Sequence, residues 1–269
     1  MSKYSVSNIA LPAFDHTAEL SRLTDLGFDG IEVAPSRVWR DTWKGLTSAQ
    51  VTSYAKAIKG AGLATVGLHS LFFDHPELGL FRDPETRSQT LDFLEHLSKL
   101  CRDLGGRTLV YGGGRHRRDM PEAVAYTEAI DFAGELCCRV EAHGTCFCFE
   151  PLGPTETDFI HSAFDALKIV KAVNHPALQI QLDAKALVAN SEASLETFLG
   201  VKEQLVHYHA NEPGFAILGS TQEVDHERLG GFLRDANYAG YVSIEQRMFS
   251  EEDPLADVAT SANVLRNFY

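Results

Sequence analysis

Four residues close four alternating runs: Glu150 in TCFCFEP (145–151), Asp183 in LQIQLDA (178–184), His209 in QLVHYHANE (204–212) and Glu245 in YVSIEQR (241–247). In each run large apolar residues alternate with small or polar ones. The apolar set (Phe147, Phe149; Ile180, Leu182; Val206, Tyr208; Val242, Ile244) can pack against helices, while the opposite set becomes more polar toward the end of the run. A buried carboxylate is costly unless it is paired or binds a metal. Three acids and an imidazole converging on one place would repel each other, and a divalent cation resolves that repulsion. Three oxygen donors and one imidazole suit Mn²⁺ first, with Mg²⁺, Co²⁺ or Zn²⁺ as alternatives, since no thiolate is called for. For any one acid, an ion pair with Lys185, Arg247 or Arg115 is the competing explanation. Four such residues in register on successive strands favour the cation.

The elements that would position these residues form one repeated unit. Four further strand patterns precede them: SVSNIAL (5–11), GIEVAP (30–35), ATVGLHSL (64–71) and RTLVYGG (107–113). Helical periodicity fills the intervals, as with Val51, Tyr54, Ala55 and Ile58, or Leu255, Val258, Ala262 and Leu265. Gly27, Gly62, Gly105 and Gly144 stand where helices should end. Eight strand–helix units without a linker predict a single-domain α/β fold, a (β/α)₈ TIM barrel over residues 1–269. An open doubly wound sheet is the runner-up, but the first strand leads into ALPAFDHT, which has no GxGxxG. In a barrel enzyme the C-terminal ends of the strands form the active-site mouth. Glu150, Asp183, His209 and Glu245 would all face it.

The formal net charge of −13 opposes binding to nucleic acid or to an anionic membrane surface. No run approaches the roughly 20 apolar residues of a membrane span. The opening MSKYSVSNIALPAF has one lysine and no long apolar run, so no signal peptide is expected. Five cysteines, an odd number, read as reduced thiols in a cytoplasmic protein. Adjacent Cys137 and Cys138 make poor zinc geometry, and Cys146 and Cys148 read as small residues lining the barrel.

With these motifs in hand, the chain resembles the xylose isomerase-like barrels, in particular the sugar and sugar-phosphate isomerases and epimerases related to the ketose 3-epimerases. The resemblance covers nearly the whole chain and rests on FEP with Glu150, LD with Asp183, HxH with His209 and SIE with Glu245, together with GFDGIEV (Glu32), LHSLFF (His69) and Glu156, six residues after Glu150. It implies a metal held by Glu150, Asp183, His209 and Glu245, which polarises the carbonyl of an α-hydroxy carbonyl substrate. Glu150 and Glu245 would then exchange a proton on opposite faces through an enediolate. It also implies a substrate contact at Glu156. Two positions depart from the pattern. The family usually has a histidine where this chain has Ala186 and an arginine where it has Phe215. Both departures count against a standard free-ketose 3-epimerase.

Further candidates surround this core. His69, at the end of strand three, is expected to contact substrate or a metal-bound water. His207 lies one layer deeper than His209, as a supporting residue. Glu32, an inward acid on strand two, would meet substrate or a barrel cation. In YGGGRHRRD (111–119) three glycines free the backbone to approach an anion, and Arg115, with Arg117 and Arg118, could neutralise a phosphate or carboxylate; a solvated basic turn is the plainer alternative. Trp39, Trp43, Phe72, Phe73 and Phe81 in the long loops would roof a pocket or form the interface of a homodimer or homotetramer. The expected activity is metal-dependent isomerisation or epimerisation of a small carbohydrate-like molecule. A dehydratase or lyase on the same scaffold is the alternative. Endonuclease IV-like DNA repair would need more histidines and a basic groove, and a non-catalytic barrel would not need both glutamates.

Overall fold

The computed structural model describes residues 3–269. Eight parallel strands close into a barrel in chain order: β1 (Lys3–Ser7), β2 (Gly30–Val33), β3 (Ala64–Leu68), β4 (Thr108–Tyr111), β5 (Cys146–Phe149), β6 (Leu178–Asp183), β7 (Leu205–Ala210) and β8 (Tyr241–Ile244). The helices of the repeated unit are α1 (Thr17–Asp25), α2 (Ser48–Gly60), α3 (Pro84–Asp103), α4 (Glu122–Val140), α5 (Ala163–Val173), α7 (Leu195–Val201), α8 (His226–Asp235) and α9 (Pro254–Phe268). One short helix, α6 (Ala184–Ala189), intervenes between β6 and α7. This is the (β/α)₈ barrel read from the alternation. The strands are shorter than the alternating runs, because the last residues of each run already turn into the loops over the mouth. Asn8–Ala10, for example, form a 3₁₀ turn whose Ser7 cap accepts from the Ile9 amide.

Local signals explain where helices start and stop. At α5, Ser162 and Asp165 form a reciprocal capping box, and the buried Ala163, Ala166, Leu167 and Val170 repeat at helical spacing. The helix ends on Asn174 in the left-handed region, with φ of 49°. Gly27, Gly62, Gly105 and Gly144 likewise take positive φ after their helices. In β3 a side chain on Gly67 would strike the Thr108 carbonyl and hydroxyl, so only glycine lets β3 and β4 close together there.

The alternation in the strands divides the molecule into two cores. Phe147, Phe149, Ile180, Leu182, Tyr208, Val242 and Ile244 lie fully buried between barrel and helices. Cys146, Cys148, Gln181, His207, Ser5 and Ser243 are buried on the other face, inside the barrel. All five cysteines are free thiols. No helix among the described residues is long and apolar enough to cross a membrane.

Strand register corrects one expectation. Asp183 and His209 are direct partners, but His209 pairs with Ser243, so Glu245 lies one inward step higher on β8. Phe149 pairs with Ile180, which puts Glu150 level with Gln181, one step lower than Asp183. The four residues therefore climb the wall instead of forming one level ring, because strands in a closed barrel tilt and stagger against each other.

If Phe147 anchors β5 to the helical layer, Phe147→Ala should lower stability by about 3–5 kcal/mol, read as a reduced denaturant midpoint at unchanged slope.

Candidate metal centre and substrate cavity

Glu150, Asp183, His209 and Glu245 meet at the mouth, and each offers a ligand atom within 4.8 Å of the others. All four are buried. The Nδ1 atom of His209 lies 3.3 Å from Glu245, 3.6 Å from Glu150 and 3.9 Å from Asp183. That nitrogen is buried and makes no well-formed hydrogen bond.

What lies behind His209 fixes which nitrogen faces the cluster. Its Nε2 donates to Glu32 at 2.9 Å, and Ser243 donates to the same carboxylate oxygen at 2.9 Å. His207 Nε2 lies 2.9 Å from the other oxygen of Glu32. Glu32 thus sits in the closed interior beneath the four-residue cluster and orients His209 from behind, as a carboxylate does behind a histidine that binds metal. It does not line the cavity, which corrects the expectation of a substrate contact at Glu32. His207 is the deeper supporting residue that its place on β7 suggested.

The carboxylates are positioned just as tightly. Gln181 donates to Glu150 Oε1 at 3.2 Å. On the other side of Glu150, a side chain on Gly112 would collide with Oε2, so the first glycine of the YGGG turn makes room for the acid. Asp183 divides its two oxygens. Oδ1 caps α6 by accepting from the Ala186 amide at 2.8 Å, and Oδ2 turns to the cluster, accepting from Asn211 Nδ2 at 2.5 Å. The same Asn211 nitrogen donates to Glu245 at 2.9 Å, and its Oδ1 accepts from the Lys185 amide at 3.0 Å. His69 Nε2 is 2.5 Å from Ser7 Oγ, which leaves Nδ1 3.4 Å from Glu245.

The charges show what the cluster needs. Burial, with the charges of Glu150 and Glu245 beside it, pushes Asp183 up to about 7 despite the opposing pull of Lys185. Burial alone would also raise Glu245, but His209 and His69 outweigh it and hold it below its ordinary range. Burial opposes charge on His209 too, yet Glu32 and Glu245 hold it well above the usual imidazole value. Three carboxylates around an imidazole nitrogen with no well-formed hydrogen bond fit a divalent ion with mostly oxygen ligands.

Above the cluster opens a cavity of about 370 Å³. His69 and Glu156 line it, and so does Lys185, which pairs with Glu156 at 2.7 Å. Phe215 lines it from the loop after β7, with Lys185 Nζ 5.1 Å from its ring centroid. Phe72 and Phe73 line the opposite side, and Phe73 is 77 % exposed. Trp39 and Trp43 pack instead against Tyr54 and Phe93, below the roof expected of them.

Arg115 is a correction. Its guanidinium is 1 % exposed and donates to five main-chain carbonyls: Tyr111, Gly112, Glu150, Phe159 and Ile160. All of its donor capacity goes to the backbone around Glu150, so it braces the site from behind and takes no anion. Arg117 is similarly engaged by Asp158 and the Met120 carbonyl. Asn211, Gln181 and Ser7 also support the site, without standing out in the sequence. The first two carried a usable signal, as the next inward position after His209 and the one before Asp183.

The sequence profile of the xylose isomerase-like TIM barrel family matches residues 20–268. Fructoselysine 3-epimerase of Escherichia coli O157:H7 is 22% identical over 239 residues, 82% of each chain. D-psicose 3-epimerase of Ruminiclostridium cellulolyticum is 23% identical over 237 residues, 86% of this chain and 78% of that one. Among solved structures, D-psicose 3-epimerase from Clostridium cellulolyticum superimposes with a TM-score of 0.84 at 17% identity, covering 99% of both chains. The 3-keto-D-glucoside 4-epimerase of E. coli gives 0.79 at 20% identity, covering 99% of this chain and 100% of that one.

If His209 is a metal ligand held in its tautomer by Glu32, Glu32→Gln should weaken divalent-metal binding by about 10–100-fold, measured by titration calorimetry. Gly112→Ala, which displaces the Glu150 carboxylate, should weaken it as well.

Proposed function

The chain belongs to the xylose isomerase-like TIM barrel family, and from that premise we propose that it is a divalent-metal-dependent sugar isomerase that epimerises or isomerises a small carbohydrate-like α-hydroxy carbonyl compound. The observation that carries this reading is the buried convergence of Glu150, Asp183, His209 and Glu245 under a cavity of small-molecule size. The relatives' names support it, since they are epimerases of sugars and sugar derivatives. Those four residues would hold the ion, Mn²⁺ by preference, and the ion would supply Lewis-acid polarisation of a carbonyl.

The proton chemistry falls to Glu150 and Glu245. They project from β5 and β8, on different sides of the mouth, with His209 on β7 between them. One carboxylate takes the proton from the carbon next to the carbonyl, and the other delivers a proton to the opposite face of that carbon. Gln181 aims the first, and Asn211 with His69 aims the second, so neither has to search for its position. His69 and Glu156 contact substrate oxygens. The site is assigned to a cytoplasmic protein, consistent with its five free thiols.

Purified protein should carry about one divalent ion per chain, and chelation should stop the exchange of a substrate C–H proton with D₂O. Glu150→Gln and Glu245→Gln should each reduce that exchange at least about 10³-fold without unfolding the barrel. The readout is ¹H NMR over a panel of ketoses, keto acids and their phosphates. Retained exchange after chelation would sink the proposal, and a dehydrated product would move the protein to the lyases.

A further inference from the structure

Glu212 is a buried carboxylate that the proposed chemistry does not use. It follows Asn211 at the end of the β7 run, and the two side chains part company. Asn211 turns to Asp183 and Glu245, while Glu212 turns the other way, to α8. Both oxygens of Glu212 are engaged. Oε1 accepts from the Gly219 amide at 2.8 Å and from His226 Nε2 at 3.0 Å, and Oε2 accepts from the Thr221 hydroxyl. Burial would raise Glu212, but His226, Thr221 and the Gly219 amide outweigh it and hold it below its ordinary range. One charged acceptor thus ties together the beginning, middle and end of the loop between β7 and α8.

The clasp continues outward and returns. His226 is the first residue of α8 and is buried. Its Nε2 must donate to the carboxylate, which only accepts, and its Nδ1 meets the Tyr269 hydroxyl at 2.8 Å. Tyr269 packs on Tyr208 of β7, with ring centroids 5.7 Å apart, so the circuit closes on the strand where it began. What it encloses is strained. Phe215, which lines the cavity, and Gly214 before it take φ of 54° and 67°. A phenylalanine in the left-handed region persists only where its surroundings over-determine it. Here the Phe215 amide donates to the Glu212 carbonyl at 2.9 Å, and its own carbonyl accepts from the Arg247 amide at 3.0 Å.

We propose that Glu212, clasped by His226, Gly219 and Thr221, is a positioning residue for the candidate metal centre. It locks the β7–α8 loop as a fixed wall and, through the adjoining main chain, holds Asn211 where it orients Asp183 and Glu245. Asn211 reaches both carboxylates with one nitrogen, so a small displacement of its backbone breaks two contacts at once. Glu212 itself touches neither ion nor substrate. This assignment rests on the proposed function, because Asn211 matters to a metal only if those two carboxylates bind one, but it is separable from it by experiment.

The experiment compares Glu212→Met with Glu212→Gln in the full chain. Methionine fills the space and removes the acceptor from all three donors. Glutamine keeps Oε1 for Gly219 and His226, and its amide can donate to Thr221 with the hydroxyl reversed, so it is the conservative rescue. In Glu212→Met, amide hydrogen exchange across residues 213–225 should speed up about 10–100-fold, the range for lost hydrogen bonds to a charged group. Mn²⁺, titrated by calorimetry, should bind about 10-fold more weakly. Glu212→Gln should restore both readouts to near wild type. If Glu212→Met does not fold, His226→Phe carries the test, since it keeps a ring in place and removes one donor. Loop exchange should then rise about 10-fold, with weaker Mn²⁺ binding. Either readout unmoved in the variant that folds would overturn the assignment, whatever happens to Tm, because the clasp would then be merely structural. Equal losses in Glu212→Gln would overturn it too, because the retained contacts would not be what holds the loop. If the wild type and Glu212→Met bind Mn²⁺ equally tightly, this inference fails and the proposed function stands. If the wild type binds no divalent ion, both fail.

Discussion

Three carboxylates and an imidazole cannot be packed together in a protein interior unless something neutralises them, and the mouth of this barrel is organised around that cost. Each acid is denied water by burial and given a neighbour that wants its charge or its proton. Gln181 and Asn211 are uncharged donors, which hold the carboxylate oxygens in place without neutralising them. The result is a cluster whose geometry is complete and whose charge is not, the condition for holding a cation tightly.

The barrel beneath follows from the same need. Inward-facing positions are usually filled by branched apolar side chains, but here the layer under the mouth is Glu32, His207, His209 and Ser243, a closed polar network with no access to solvent. Its own charges are balanced internally: burial would hold the Glu32 carboxyl up, but His209 and His207 bring it well below its ordinary range. Apolar packing is moved to the outer face, where Phe147, Phe149 and their neighbours join barrel to helices. Stability and chemistry are thereby assigned to opposite faces of the same strands, at alternate residues.

That division is why so much was legible in advance. Period-two alternation showed which residues face inward, and the strand-end rule then placed Glu150, Asp183, His209 and Glu245 at one mouth. Register was not legible, because stagger between tilted strands is a property of the closed barrel and leaves no trace in any one strand. The loops were harder still. YGGGRHRRD reads as either an anion site or a solvated basic turn, since its composition shows glycines and arginines but not the carbonyls that surround Arg115. Those carbonyls come from residues 111, 112, 150, 159 and 160, and nothing about their side chains records that they share one guanidinium. Lys185 is legible in the sequence as a candidate ion-pair partner, but its pairing with Glu156 is not.

The Arg115 brace also sets how this protein can vary. A contact made to a main-chain carbonyl is indifferent to the side chain attached, so the five residues that meet the guanidinium are free to change as long as the chain path is kept. Arg115 has no such freedom. A lysine has a single nitrogen with three donors and cannot span carbonyls from two loops with a planar fork. Mutational tolerance around Glu150 should therefore be lopsided, with one immovable position holding a permissive neighbourhood. In that arrangement the loops could be redesigned for a different substrate while the carboxylate they surround stays where the chemistry needs it.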